Sequence, residues 1–160
     1  MNPLDDLDPD LNHFNEFKEC KFFSQREFND KFSNSKNSLG IIHINIRSIN
    51  KNLDEFLAFL SQLSFCFSVV ILTETWLMSR SDWLEVEGLN GYHSIRSDRR
   101  GGGVSVLVRD DIKSSLINEW CINDDIFESC GVKLFIGKDT YYVMGVYRAP
   151  SSNISLARLA

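Results

Sequence analysis

The feature that most restricts the fold of this chain is a strand, helix, strand pattern beginning near residue 40. In IIHINI, Ile42, Ile44 and Ile46 alternate with His43, Asn45 and Arg47, the period of two that a half-buried strand requires. Asn45 therefore faces away from the isoleucines. Leu53, Phe56, Leu57, Leu60 and Leu63 then fall on one stripe at helical spacing, which predicts a core-facing helix of about three turns. Asn52 is expected to cap it, with Glu55 completing a capping box. FSVVIL follows as a continuous β-branched and apolar run, the pattern of a strand buried on both faces, and TETWL closes it with polar side chains. Such a unit has parallel strands and a right-handed crossover. Asn45 and Glu74 would both stand at carboxyl ends of neighbouring strands, on the rim where α/β proteins place their sites.

The remainder is less periodic. MSRSDWLEVEGLNGYHSIRSDRRGGG has turn residues and arginines and reads as a long exposed connection. VSVLV, GVKLFI and TYYVMGVY predict three further strands, with a loop containing Trp120 and Asp124-Asp125 between the first two. Residues 1–38 carry eight acidic and five basic side chains with aromatics spaced singly, a polar leader expected to be largely irregular apart from a short helix near Arg26–Phe32. An α/β (α+β) domain over residues 39–150 and an irregular tail over 151–160 complete the expected organisation. With 160 residues and 43% apolar content there is material for one core and not for two.

Charge and cysteine usage narrow the classes. A net charge of −5 has the wrong sign for a broad nucleic-acid-binding surface, so any action on DNA has to rest on local sites. Cys20, Cys66, Cys121 and Cys130 form no CxxC pair and no zinc-finger spacing, which predicts reduced thiols in an intracellular protein. The amino terminus is acidic where a signal peptide would be basic, and no apolar run reaches the roughly 18 to 20 residues that span a bilayer.

Among candidate site residues Glu74 ranks first. A carboxylate ending a buried strand is a natural oxygen ligand for magnesium, which needs one or two protein carboxylates besides water and substrate phosphate; a capping or surface glutamate is the competing reading. The Asn45 amide can donate to one partner and accept from another, although a satisfied structural amide is the commoner case. His43 shares its face and is expected to pack against a neighbouring strand. Arg47, on the same face, is suited to a carboxylate or a phosphate. Gly101, Gly102 and Gly103 precede a strand and not a helix, so a turn or bulge fits them better than a P-loop, with Arg96, Arg99 and Arg100 solvated beside it. Tyr147 sits in an alternating strand, by default a packing residue whose hydroxyl can still reach a phosphate.

Taken in order, HINIRSI (His43–Ile49), LTETWL (Leu72–Leu77), RRGGGVSVLVRD (Arg99–Asp110) and VYRAP (Val146–Pro150) resemble the motif series of the endonuclease/exonuclease/phosphatase superfamily. The resemblance is strongest to the apurinic-endonuclease-like domain of jockey-type non-LTR retrotransposons, and DPDLNHF and CKFFSQREFN in the leader are similar to the segment preceding that domain. It implies part of a four-layer αββα sandwich that hydrolyses phosphodiesters with Mg2+, or Mn2+ in its place. By motif, Glu74 would be the primary metal ligand, Asn45 would position the metal or the attacking water, and Tyr147 would contact the scissile phosphate. Arg47, Arg99, Arg100 and Arg148 would meet DNA phosphates. Arg47 stands where many relatives have an aspartate, as in the retrotransposon branch. The Gly-Asp-Phe-Asn and Ser-Asp-His motifs of the family do not occur in the sequence, so the C-terminal part of the sandwich is expected to be missing. No nicking by this chain alone is expected, and one sheet face should lack a cover. The implied parent is a DNA endonuclease that nicks target DNA to prime a downstream reverse transcriptase, with nuclear residence following only from the DNA target. A non-catalytic remnant or protein-binding fragment is the alternative of a different class. A phosphatase or phospholipid phosphodiesterase of the same superfamily is a third, less favoured because Arg96, Arg99 and Arg100 near the expected site lean weakly towards DNA over lipid and no membrane-binding stripe is present.

Overall fold

In the computed structural model, the residues described are 21–35, 38–79, 82, 85–96, 101–124 and 127–148. The expected parallel unit is present: β1 (Ile41–Asn45) and β2 (Val69–Thr73) pair in parallel register from Ile41 opposite Val69 to Asn45 opposite Thr73. The crossover is α2 (Ile49–Ser61), which buries Ile49, Leu53 and Phe56. Its start differs from the expectation. Ser48 is the N-cap residue and makes no side-chain cap, while Asn52 lies inside the helix and donates to the carbonyls of Ile46 at 2.7 Å and Arg47 at 3.0 Å. The helix begins early because the tip of β2 seizes its first amides: Ser48 N–H donates to Glu74 O at 2.8 Å and Ile49 N–H to Thr75 O at 3.0 Å. With those groups satisfied, Asn52 is released to tie the helix back to the strand end.

Two strands went unread in the sequence. β3 (Leu89–Ser94) lies inside the stretch expected to be an exposed connection and pairs antiparallel with β4 (Val104–Arg109), which in turn pairs antiparallel with β2. The first sheet thus has the order β1-β2-β4-β3. β5 (Lys113–Ile117) joins β6 (Phe127–Ile136) and β7 (Asp139–Arg148) in a second, wholly antiparallel sheet. Gly137, at φ 61°, opens the two-residue turn between Ile136 and Asp139, a position where glycine avoids the Cβ clash of left-handed backbone. The molecule is a mixed α/β protein with two sheets and two helices among the described residues.

Two apolar layers hold these elements. One face of the first sheet offers Val70, Leu72 and Leu107 to Ile49, Leu53 and Phe56 of α2. The other offers Val69, Ile71, Val104, Val106 and Val108 to Cys130, Val132, Leu134 and Val143 of the second sheet. β2 and β4 are therefore covered on both faces, which is why their sequences are continuously apolar. The outer face of the second sheet is open, with Tyr142 58%, Met144 46% and Val146 48% exposed.

The leader contributes the short expected helix, α1 (Gln25–Phe32), opened by a reciprocal capping box between Ser24 and Glu27. Asn29 docks it, donating to Gln62 O at 2.8 Å and accepting from Ser64 N–H at 2.7 Å. No described helix is long and apolar enough to cross a membrane.

Candidate functional site

The parallel register carries Asn45 and Glu74 to the same rim. Asn45 ends β1, Glu74 follows the last residue of β2, and the Asn45 amide donates to Glu74 Oε1 at 3.0 Å. The third residue arrives from the other sheet: the Tyr147 hydroxyl, on the inward side of β7, donates to the same Glu74 Oε1 at 3.1 Å. One carboxylate oxygen thus collects two donors from two different sheets, and Oε2 is engaged by neither. Glu74 is half-buried. Burial, and then the hydrogen bond to the Glu74 carboxylate, raise the Tyr147 pKa above its usual value, because a phenolate here would face an anion in a poorly solvated place. At neutral pH Tyr147 is a hydroxyl donor.

The backbone under these side chains is bent in a way seen at functional sites. Among the described residues, the non-glycine positions with positive φ are Arg47 (49°), Ser48 (88°), Glu74 (55°) and Trp76 (58°), all at the ends of β1 and β2. Each such residue costs on the order of 1–3 kcal/mol and persists only where its surroundings over-determine it. Here the surroundings are the bonds from Ser48 and Ile49 to Glu74 and Thr75, and a second set in which Trp76 N–H donates to Gly102 O at 2.9 Å and Thr75 N–H to Gly103 O at 3.3 Å. The glycine run serves this second set. A Cβ on Gly102 would lie 2.7 Å from Glu128 Oε2, and one on Gly103 would collide with the Thr75 hydroxyl. The turn reading of Gly101–Gly103 agrees with their φ values of 105°, 69° and 87°.

Arg96 departs from the sequence expectation. It is not solvated but 5% exposed, paired with Glu128, itself 1% exposed, at 2.7 Å, and it donates to Asp124 O at 3.0 Å. Glu128 also accepts from Gly103 N–H. Sequence reasoning missed Glu128 altogether. The available signal was a carboxylate inside an otherwise apolar strand, which demands a partner when buried.

Of the other candidates, His43 Nε2 lies 3.2 Å from Thr73 Oγ1 on the neighbouring strand, the packing role expected for it. Arg47 is exposed at the tip of β1, beside Asn45 in sequence, and Arg148 is exposed at the end of β7. Arg99, Arg100, Asp125 and Pro150 lie outside the described residues. A cleft of about 410 Å³ opens beside Asn45, lined also by Arg47, Asn52, Glu55, Phe56 and Phe59.

As a metal site the arrangement is sparse. No cluster of three His, Cys, Asp or Glu side chains forms among the described residues, so an all-protein cage of the zinc or calcium kind has no support there. One half-buried carboxylate with an amide beside it suits a magnesium ion carried mostly by water and a substrate phosphate. No protein-family model matches the sequence, and no curated protein matches it.

Proposed function

We propose that this chain carries the metal and phosphate corner of an endonuclease/exonuclease/phosphatase-type domain, part of a four-layer αββα sandwich, and that the activity of the whole domain is Mg2+-dependent hydrolysis of DNA phosphodiesters. The observation that carries the reading is the meeting of Asn45 and Tyr147 on one oxygen of Glu74. Three side chains from three strands, over a hundred residues of sequence, converge on a carboxylate whose other oxygen neither of them occupies. Three of the four motifs of the sequence resemblance contain these residues: Asn45 in HINIRSI, Glu74 in LTETWL and Tyr147 in VYRAP.

In this reading Glu74 and Asn45 hold the ion. A bound magnesium supplies charge neutralisation for the phosphate oxygens. The chain's own contributions are positional. Asn45 fixes the Glu74 carboxylate through its amide, and Tyr147, kept protonated, offers a hydroxyl donor toward a phosphate oxygen, the kind of pre-aimed dipole that stabilises developing charge. Arg47 just beyond the tip of β1 and Arg148 at the end of β7 are exposed and offer positive charge on a chain of net charge −5. The residues that would activate water and complete the phosphate site belong to motifs absent from this sequence, so the 160-residue chain is expected to bind the ion without cleaving DNA.

The test pairs Mn2+ binding, read by electron paramagnetic resonance, with nicking of supercoiled plasmid in Mg2+. Wild type should bind Mn2+ weakly, Glu74→Ala should abolish this binding, and Tyr147→Phe should leave it nearly unchanged. Nicking should require a longer protein that includes Gly-Asp-Phe-Asn and Ser-Asp-His. Equal Mn2+ binding by wild type and Glu74→Ala would remove the proposed metal site. Glu74-dependent nicking by the 160 residues would show that water is activated from within them.

The non-catalytic reading, a remnant or protein-binding fragment, draws on the outer face of the second sheet. Exposed Tyr142, Met144 and Val146 form an apolar surface of the sort that associates.

A further inference from the structure

We propose that the buried pair of Arg96 and Glu128 is the positioning device of the site, and that Glu128 is the residue through which both sheets hold Glu74 and Tyr147 in register. The inference rests on the reading of Glu74 as a metal ligand only for its functional consequence. The structural chain of bonds stands on its own.

A buried ion pair is weak support for stability, since well-packed apolar side chains of similar volume often do as well or better. Its presence beneath this corner therefore calls for a different account. The Glu128 carboxylate binds Arg96 through Oε1 and accepts from Gly103 N–H through Oε2. It also fills the space that any side chain at Gly102 would need. The glycine turn is thereby fixed in both position and conformation. The carbonyls of Gly102 and Gly103 in turn hold the amides of Trp76 and Thr75, the two residues that follow Glu74. Left-handed backbone at Glu74 and Trp76 is unfavourable by itself and needs such anchors.

The second arm runs along the sheet. Glu128 stands directly opposite Tyr147 in the β6–β7 ladder, so the residue that anchors the loop of Glu74 also sets the strand position of the tyrosine that donates to Glu74. Arg96 completes the fastening by reaching the Asp124 carbonyl ahead of β6. One carboxylate, 1% exposed, joins the end of β3, the glycine turn and β6. Glu128 is a positioning residue, acting through the glycine turn and never on substrate.

Two double variants isolate the acceptor function from the charge. Arg96→Met with Glu128→Gln keeps an oxygen for Gly103 N–H in a neutral site, and Arg96→Met with Glu128→Leu removes it at similar volume. Amide hydrogen exchange of Trp76 and Thr75 is the direct readout, and Mn2+ affinity is the functional one. The Gln variant is expected to keep Trp76 protection and Mn2+ affinity close to wild type. The Leu variant should lose both by about tenfold or more, as supporting residues of metal sites typically do, while exchange within the β1–β2 ladder stays unchanged. Retention of Trp76 protection and of affinity in the Leu variant would overturn the proposal. If Trp76 protection falls but wild type itself binds no Mn2+, the positioning role holds and the metal reading fails.

Native-state exchange of the wild-type protein in rising denaturant covers the case in which the Leu variant does not fold. The Gly103 and Trp76 amides should open together in one step. Independent opening would contradict a common anchor.

Discussion

Gly145 lies on the inward side of β7, two residues before Tyr147, at a close approach of the two sheets. A Cβ there would sit 2.6 Å from Ile71 Cγ2 and 2.9 Å from Val104 Cγ1, against the roughly 3.5–4.0 Å at which carbon atoms attract. Both neighbours are branch methyls on short, stiff side chains in a strand core, so they yield only if the sheets move apart. Gly145→Ala is therefore an overpacking change costing about 1–3 kcal/mol, reduced by the roughly 0.5–1 kcal/mol that alanine gains over glycine in chain entropy. A net loss of about 1–2 kcal/mol follows from these two terms. Val104→Ala removes two methyls from a fully buried side chain, about 1.6 kcal/mol of transfer free energy plus a cavity contribution, or about 2–3 kcal/mol in all. In the double variant the contact with Val104 Cγ1 is gone and the vacated space lets the methyl at 145 shift away from Ile71 Cγ2, although that closer contact is only partly relieved. The double variant should then cost about 1 kcal/mol less than the sum of the two single changes. Urea unfolding with linear extrapolation measures all four corners of the cycle, with the slopes compared to confirm that only stability has changed. Because Tyr147 shares the strand and face of Gly145, the single Gly145→Ala change should also weaken the Tyr147 bond to Glu74, read from tyrosine hydroxyl titration. Additivity within about 0.5 kcal/mol would refute the reasoning: the sheets would not meet at this point, and packing could not be what delivers Tyr147 to Glu74.

Two further outcomes follow from titratable groups shifted by burial. Partial burial holds the His93 imidazole down at about 4, so between that value and about 6.5 the unfolded chain binds a proton that the folded chain refuses; the His93 contribution is full above pH 6.5 and is lost as pH falls toward 4, by about 3 kcal/mol over the whole interval. Urea melts at pH 7 and pH 4.5 should show this, and His93→Gln should reduce the difference; an unchanged pH dependence would count against a neutral, half-buried imidazole. Burial pushes the Cys130 thiol up to about 12, whereas Cys66 is exposed. Maleimide at pH 8 should therefore label Cys66 in the native protein and reach Cys130 only on unfolding, and native labelling of Cys130 would show that the layer between the sheets opens.

Local pattern by itself determined the parallel unit and the rim where the site lies. Alternation in IIHINI, the leucine and phenylalanine stripe and the run FSVVIL each report a face that neighbours must cover, and that information is contained within a few residues. The pairing of Asn45 with Glu74 follows from it, since parallel neighbours bring their carboxyl ends together. What the pattern could not report was decided by distant partners. LNGYHS and KSSLI carry no strand period, and they are strands because β4 and β6 offer them unpaired backbone groups. Arg96 looked like a surface arginine because its environment depends on Glu128, 32 positions away, and the helix start moved because β2 supplied carbonyls to Ser48 and Ile49. The motif resemblance named Tyr147, but only the stacking of the second sheet on the first brings its hydroxyl to Glu74, because contacts between sheets depend on how two surfaces fit and not on the order of residues along either one.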